Sequence, residues 1–287
     1  MDKAVYERKT AQAVQLESIV VSEANTDARE RVPDSPLSRN LVEIQSDSMY
    51  NVLRIRMCAG DLSFMARIGI IGGTFDPVHE GHLNLALDAM EQAQLDAVWF
   101  MPAKIQPFKQ DRKVTDSAQR LEMLALAVEG HPGLLISTLE MELEGVSYTY
   151  RTLREVRRRL LDERMAAAAE SQMQGSPEAD SASETDTTYF ITGTDTFIKM
   201  DTWMHAEELL TENAVIVGSR PGYQDAEIER CRTLFQEQYG TEVLVIRNDL
   251  RDISSTGIKE RIAAGKPITG LVPQAVEEYI YGHDLYR

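Results

Sequence analysis

Residues 68–82 read Ile-Gly-Ile-Ile-Gly-Gly-Thr-Phe-Asp-Pro-Val-His-Glu-Gly-His, and this stretch decides the fold. It opens on a short apolar run, which predicts a buried strand. After it, apolar residues recur at the spacing of one helix face, at Leu83, Ala86, Leu87 and Met90. A strand, a glycine-rich turn and a helix in this order are typical of the carboxyl edge of a parallel sheet, where α/β proteins bind ligands.

The rest of the chain repeats this alternation of apolar runs and amphipathic stretches, which indicates βαβ units. We therefore expect an α/β fold with a Rossmann-like, doubly wound, mostly parallel sheet and two C-terminal helices that begin near Ser255 and Pro273. The predicted strands cover 68–71, 97–101, 134–140, 189–192, 214–217 and 243–246.

Two segments interrupt the pattern. Residues 1–64 mix charged and small polar residues with only brief apolar clusters, so we expect a disordered extension, or a start assigned upstream of the biological one at Met57 or Met65. Residues 166–187 hold acidic and small residues but no aromatic residue, Lys or Arg, which predicts a flexible insertion or, alternatively, a docking segment. The alternating pattern itself covers 65–287, which we expect to form one domain.

Composition excludes several classes of function. A net charge of −16 argues against sequence-independent binding of nucleic acid or anionic membranes, which rests on clustered Lys and Arg. Cys58 and Cys231 form no disulfide framework and no zinc-binding pattern. No apolar stretch approaches the ~18 residues of a membrane span, and no signal peptide opens the chain, so we expect a cytoplasmic protein.

The glycine-rich turn is a candidate phosphate site. Gly72 and Gly73 allow close approach of the backbone to an anion, Thr74 supplies a hydroxyl, and the following helix directs free N–H groups to the same place. His79 and His82 are three residues apart, so both can face one ligand.

Other readings of the two histidines are possible on spacing alone. They could be core histidines with satisfied hydrogen bonds. His79-Glu80-Gly81-His82 is one residue shorter than the His-Glu-x-x-His of zinc proteases and lacks an obvious third ligand, so we name no metal-binding residues. The Gly-x-Gly-x-x-Gly of dinucleotide dehydrogenases is absent.

A second candidate motif follows the last predicted strand, as Ile253-Ser254-Ser255-Thr256-Gly257-Ile258-Lys259. Taken alone, three hydroxyl residues at a helix start would be an N-cap. The first motif, however, resembles the signature of the HxGH nucleotidyltransferases, and most closely that of bacterial nicotinate-nucleotide adenylyltransferases. That family carries Ile-Ser-Ser-Thr-x-Ile-Arg near its C-terminus, so Lys259 departs from it by losing the planar guanidinium.

The resemblance implies adenylyl transfer from ATP to nicotinate mononucleotide, which releases pyrophosphate and makes the dinucleotide precursor of NAD. His79 and His82 would be the catalytic residues, and Mg²⁺ would be held mainly by the phosphates of ATP. The implied ATP-binding residues are Gly72, Gly73, Thr74, Phe75, Lys109, Ser254, Ser255, Thr256 and Lys259. Those implied for nicotinate mononucleotide are Ala103, Lys104, Asp195, Trp203 and Arg220.

Three alternatives stay open. The acceptor could be nicotinamide mononucleotide or phosphopantetheine, although His79 and the segment around Trp203 argue against phosphopantetheine. The protein could also be a non-catalytic ATP-binding sensor. Residues alone would place Trp203 in the core, and only the resemblance favours a ligand platform. The partners expected are small molecules, and formation of a homo-oligomer is left open.

Overall fold

The computed structural model describes residues 66–104, 114–173, 186–219, 225–248 and 253–287. Six strands form one sheet in the order β3-β2-β1-β4-β5-β6, and every neighbouring pair is parallel. The strands are β1 (Arg67–Gly73), β2 (Ala97–Pro102), β3 (Leu134–Ile136), β4 (Thr187–Gly193), β5 (Ala214–Ser219) and β6 (Val243–Arg247). The predicted α/β, Rossmann-like fold is confirmed.

Helices cover both faces of this sheet. They are α1 (Glu80–Gln92), α2 (Ser117–Val128), α3 (Leu139–Glu142), α4 (Thr149–Met173), α5 (Thr194–Phe197), α6 (Ala206–Glu212), α7 (Asp225–Tyr239), α8 (Ser255–Ala263) and α9 (Gln274–Gly282), with a short 3-10 helix at Met200–Thr202. None of the helices in the described ranges is long and apolar enough to cross a membrane.

The core lies in two layers, one on each face of the sheet. Helices α1, α2, α8 and α9 pack on one face, and α3, α4, α6 and α7 pack on the other. Because β2 is buried along its whole length, it reads as a continuous apolar run instead of an alternating one.

The strand order reverses at β1. Strands β2 and β3 extend the sheet to one side, and the chain then returns to place β4 on the other side of β1. In open α/β sheets, ligands bind at the carboxyl ends of the strands that flank such a reversal. Gly73 and Gly193 end these two strands, so this crevice lies at the glycine-rich turn.

The third strand is shorter than predicted. The sequence indicates a strand over 134–140, but β3 ends at Ile136, and Leu139–Glu142 form α3. The extended prediction is wrong because β3 is an edge strand that pairs only with β2, and that pairing ends at Phe100↔Ile136. Beyond it, a Leu-Glu-Met-Glu run with good helix propensity forms a helical turn.

Helix α4 runs into the predicted insertion at 166–187, and β4 begins at its last residue, Thr187. Helix α4 continues to Met173. It includes four consecutive alanines, Ala166–Ala169, and alanine has the highest helix propensity of all residue types. The remainder of the predicted loop, 174–185, lies outside the described residues, as does the predicted extension over 1–64.

Candidate active site

The turn between β1 and α1 brings the two histidines together. His79 is the N-cap residue of α1, and its backbone N–H donates to Nδ1 of His82 at 3.3 Å. The two rings stack with centroids 3.7 Å apart, and Phe75 contacts His82 edge-on at 4.9 Å. Phe75 has φ +50, in the left-handed region, which turns the chain sharply after Gly73.

These contacts fix the chemistry that His82 can offer. Because Nδ1 accepts a hydrogen bond, a neutral His82 ring carries its proton on Nε2, and Nε2–H is a donor on the opposite side of the ring. The bond also fixes the orientation of the ring. His82 is thus arranged to donate a hydrogen bond to an anionic ligand.

His79 is held neutral. Its side chain is only 7% exposed, and burial lowers its pKa to about 4. A neutral His79 ring adds no positive charge next to the His82 ring on which it stacks.

A pH dependence of stability follows. The pKa of His79 is lower in the folded protein than in the unfolded chain, so below about pH 6.5 the unfolded chain binds the proton more readily. The free energy of unfolding therefore decreases as the pH falls from about 6.5 towards 4. We expect the free energy of unfolding, measured by urea denaturation, to fall by about 2 kcal/mol from this residue between neutral pH and pH ~4.5. His79→Asn, which keeps an N-cap residue, should lose that part of the slope; an unchanged slope in the variant would contradict the prediction.

Asp76 is a buried residue of the same turn, with only 4% of its surface exposed. Its carboxylate pairs with Lys259, accepts a hydrogen bond from the Tyr286 hydroxyl at 2.7 Å, and accepts another from the Thr115 N–H at 3.4 Å. Burial opposes ionisation, but the hydrogen bonds from these three groups outweigh it and hold the pKa of Asp76 below its ordinary value. No role for Asp76 was predicted from the sequence.

Arg120 fixes the loops on either side of the crevice. Its side chain is 2% exposed, and Nη1 donates to the carbonyls of Thr74 at 2.8 Å and Ala103 at 3.0 Å, while Nε donates to Thr115. The guanidinium thereby joins the turn after β1 to the end of β2 and the start of α2. No role for Arg120 was predicted from the sequence, although a charged residue next to the apolar positions of an amphipathic helix is a signal for such a buried contact.

The second motif contacts the first. Ser254 is the N-cap residue of α8, and its Oγ accepts a hydrogen bond from the Gly257 N–H at 3.1 Å. The Ser255 hydroxyl donates to the carbonyl of Pro77 at 2.9 Å. The N-cap interpretation therefore holds for Ser254, and the free N–H groups at the start of α8 lie beside the His79–His82 turn. Thr256 is exposed in the first turn of this helix.

The end of β2 forms the opposite wall. Ala103 is buried and donates its N–H to Gly73 at 2.8 Å. The ammonium of Lys104 donates to the carbonyls of Met141 and Leu143, and its N–H donates to Oγ of Ser147 at 3.2 Å. The predicted ligand residue Lys104 thus bonds to the chain around α3 in this structure.

A buried glutamate, Glu140, forms hydrogen bonds with residues next to this wall. Glu140 on α3 accepts a hydrogen bond from the Thr152 hydroxyl at 2.7 Å. Burial raises its pKa, while hydrogen bonds from Thr152 and Ser147 act in the opposite direction. Ser147 is the residue that contacts Lys104, so Glu140 connects α3 and α4 to the end of β2. The sequence did not single it out.

The far side of the crevice follows β4. Asp195 lies in the first turn of α5, two residues after Gly193. Trp203 is half-buried, packs on the second core layer, and meets Phe190 edge-on at 6.1 Å. The position of Trp203 is compatible with both a core residue and a ligand platform, since one side packs on the core and the other is partly exposed. The predicted residues Lys109 and Arg220 lie outside the described residues.

The described residues contain no group of three or more His, Cys, Asp or Glu side chains that could hold a metal ion. The walls of the crevice instead hold backbone N–H groups, the stacked pair His79 and His82, and the ammonium of Lys259. Such a set suits a polyphosphate ligand.

Comparison with known proteins defines the class. The family model described as cytidylyltransferase-like matches residues 70–261, which include both motifs. A relative from Thermoanaerobacter sp., named "Probable nicotinate-nucleotide adenylyltransferase", is 36% identical over 77% of this chain and 94% of its own length. One of the same name from Exiguobacterium sibiricum is 37% identical over 77% of this chain and 98% of its own. The fold and the site thus define a nucleotidyltransferase.

At this identity and coverage, the chain belongs to the nicotinate-nucleotide adenylyltransferase family. A solved structure of Plasmodium falciparum nicotinic acid mononucleotide adenylyltransferase complexed with NaAD superimposes with a TM-score of 0.55 at 19% identity, over 77% of this chain and 97% of the other. That likeness shows the fold.

Proposed function

We propose that this chain transfers the adenylyl group of ATP to nicotinate mononucleotide and makes nicotinate adenine dinucleotide and pyrophosphate for NAD biosynthesis. The observation that carries the proposal is the contact between the two motifs. Ser255 bonds to Pro77 and Lys259 pairs with Asp76, so that two helix N-termini and the histidine pair meet at the reversal of strand order. The names of the relatives support the same reaction.

ATP would lie across this meeting point. Gly72, Gly73, Thr74 and Phe75 provide backbone next to the α-phosphate, and the start of α8, with Ser254, Ser255 and Thr256, faces the β- and γ-phosphates. Lys259, and Lys109 outside the described residues, would add positive charge. Mg²⁺ keeps several of its waters and needs few protein ligands, so the phosphates would hold it and no residue is assigned to it.

In the proposed reaction, a phosphate oxygen of nicotinate mononucleotide attacks the α-phosphorus of ATP. The new P–O bond forms as the bond to the bridging oxygen breaks, and that oxygen leaves with pyrophosphate. No bond to the protein is needed, because such transfers are accelerated by positioning and by stabilising charge on the phosphate oxygens. Nε2–H of His82 supplies that stabilisation, and His79 orients the ring.

Nicotinate mononucleotide would lie between the end of β2 and the segment after β4. Ala103 and Lys104 line one side through their backbone, Asp195 lies where a ribose could be bound, and the exposed face of Trp203 offers a surface for the pyridine ring. Arg220 would approach a phosphate. We further propose that the catalytic domain spans 65–287 and acts in the cytoplasm on small-molecule substrates.

Pyrophosphate release tests this function directly. The enzyme is given ATP and Mg²⁺ with nicotinate mononucleotide, nicotinamide mononucleotide or phosphopantetheine in parallel reactions. We expect kcat/KM to be at least tenfold higher with the nicotinate form. Preference for another acceptor would refute the substrate but keep the ATP chemistry, and no release with any acceptor would favour an ATP-binding sensor.

A further inference from the structure

The last residues of the chain return to the active site. After α9, Asp284 and Tyr286 both adopt left-handed backbone conformations, with φ +51 and +66. Such conformations cost a non-glycine residue about 1 kcal/mol or more, so surrounding contacts must maintain them. The N–H of Leu285 donates to Ile280 at 3.0 Å, and Leu285 and Tyr286 pack against the core layer that contains α1 and α8.

This bend places Tyr286 against both motifs. Its hydroxyl donates to Oδ1 of Asp76 at 2.7 Å, and its ring centroid lies 4.9 Å from the ammonium of Lys259. The same ammonium pairs with Oδ2 of Asp76. Lys259 is therefore bounded by a carboxylate and the face of an aromatic ring, both of which attract a cation.

A flexible lysine side chain depends on such neighbouring groups for its orientation. Its ammonium is a point charge on a flexible four-carbon stem, unlike the planar guanidinium of arginine, which is pre-organised for phosphate. The side chain of Lys259 is 32% exposed, whereas that of Asp76 is 4% exposed, so the ammonium is the accessible member of the pair. Its orientation towards the crevice must come from its neighbours.

We infer that Tyr286 is a positioning residue for ATP binding, which holds the Lys259 ammonium between its ring and Asp76 so that the triphosphate meets an oriented cation. The C-terminal tail is on this account part of the ATP site. The inference rests on the proposed function, because it requires Lys259 to contact ATP. Tyr286 itself acts through Lys259 and Asp76 and does not touch the reacting atoms.

The test separates this role from a merely structural one. Tyr286→Leu removes the ring and the hydroxyl, Tyr286→Phe removes only the hydroxyl, and Tyr281→Leu on the exposed side of α9 is the matched control. The KM for ATP, the KM for nicotinate mononucleotide and kcat are measured by pyrophosphate release, with the melting temperature of each variant determined alongside. Lys259→Ala and the double variant with Tyr286→Leu complete the set.

We expect Tyr286→Leu to raise the KM for ATP about tenfold and to change the KM for nicotinate mononucleotide less than twofold. Tyr286→Phe should raise the KM for ATP about threefold, and Tyr281→Leu should not change it. In the Lys259→Ala background, Tyr286→Leu should have no further effect on the KM for ATP, because the group that it orients is gone.

Three results would overturn the inference. One is an unchanged KM for ATP in both Tyr286 variants while Lys259→Ala raises it, which would leave the proposed role of Lys259 intact. Another is an equal rise in both KM values together with a lower melting temperature, which would indicate a structural role. A normal KM for ATP in Lys259→Ala would instead refute the proposed ATP contact, and the inference with it.

Discussion

Replacement of His82 by Ala is expected to lower kcat by about two to three orders of magnitude, with little change in the KM for ATP. Nε2–H is held in place by the hydrogen bond from the His79 N–H to Nδ1, so it is a pre-organised donor. Loss of one such donor at a developing negative charge typically reduces turnover by about 10²–10³-fold.

The measurement is steady-state pyrophosphate release at saturating ATP and nicotinate mononucleotide. His131→Ala is the matched control, because His131 lies in the turn before β3, at the amino edge of the sheet and away from the crevice. It should keep full turnover. If His82→Ala had normal kcat and a normal melting temperature, His82 would not be catalytic.

Replacement of Asp76 by Ala is expected to destabilise the protein by about 3 kcal/mol. The carboxylate is buried and accepts hydrogen bonds from Lys259, Tyr286 and the Thr115 N–H, so its loss leaves these donors without their acceptor. Arg120, which is also buried, loses a nearby negative charge. Because the pKa of Asp76 is lowered from 3.8, its contribution is complete above that pH and disappears as the pH falls further.

Chemical denaturation at neutral pH measures this effect. Asp162→Asn is a matched control, since Asp162 forms an exposed pair with Arg158 one turn earlier on α4, and such pairs contribute less than about 1 kcal/mol. A loss for Asp76→Ala no larger than that for Asp162→Asn would contradict the account of the buried cluster.

The fold was predictable because each element carries its own local signal. The apolar runs marked all six strands, and the glycines after β1 marked the turn at the reversal of strand order. The end of β3 was not predictable, since it depends on where β2 stops pairing with it. The alanine run in α4 has high helix propensity, but it was predicted as part of the loop because acidic residues, Ser and Pro follow it.

The candidate site was predictable only in part, because local spacing brings some of its residues together and long-range packing brings together the others. His79 and His82 are three residues apart, so their proximity follows from local geometry. Asp76 and Tyr286 are separated by 210 positions in sequence, and no spacing pattern relates them. The pairing of Lys259 with Asp76 likewise emerges only when α8 is packed beside α1.

The most direct test of the central claim is a crystal structure of the protein with a non-hydrolysable ATP analogue. The account predicts the α-phosphate within hydrogen-bonding distance of Nε2 of His82, and the β- and γ-phosphates at the start of α8 beside Ser255 and Lys259. An analogue bound elsewhere, or one whose α-phosphate lies away from His82, would contradict it.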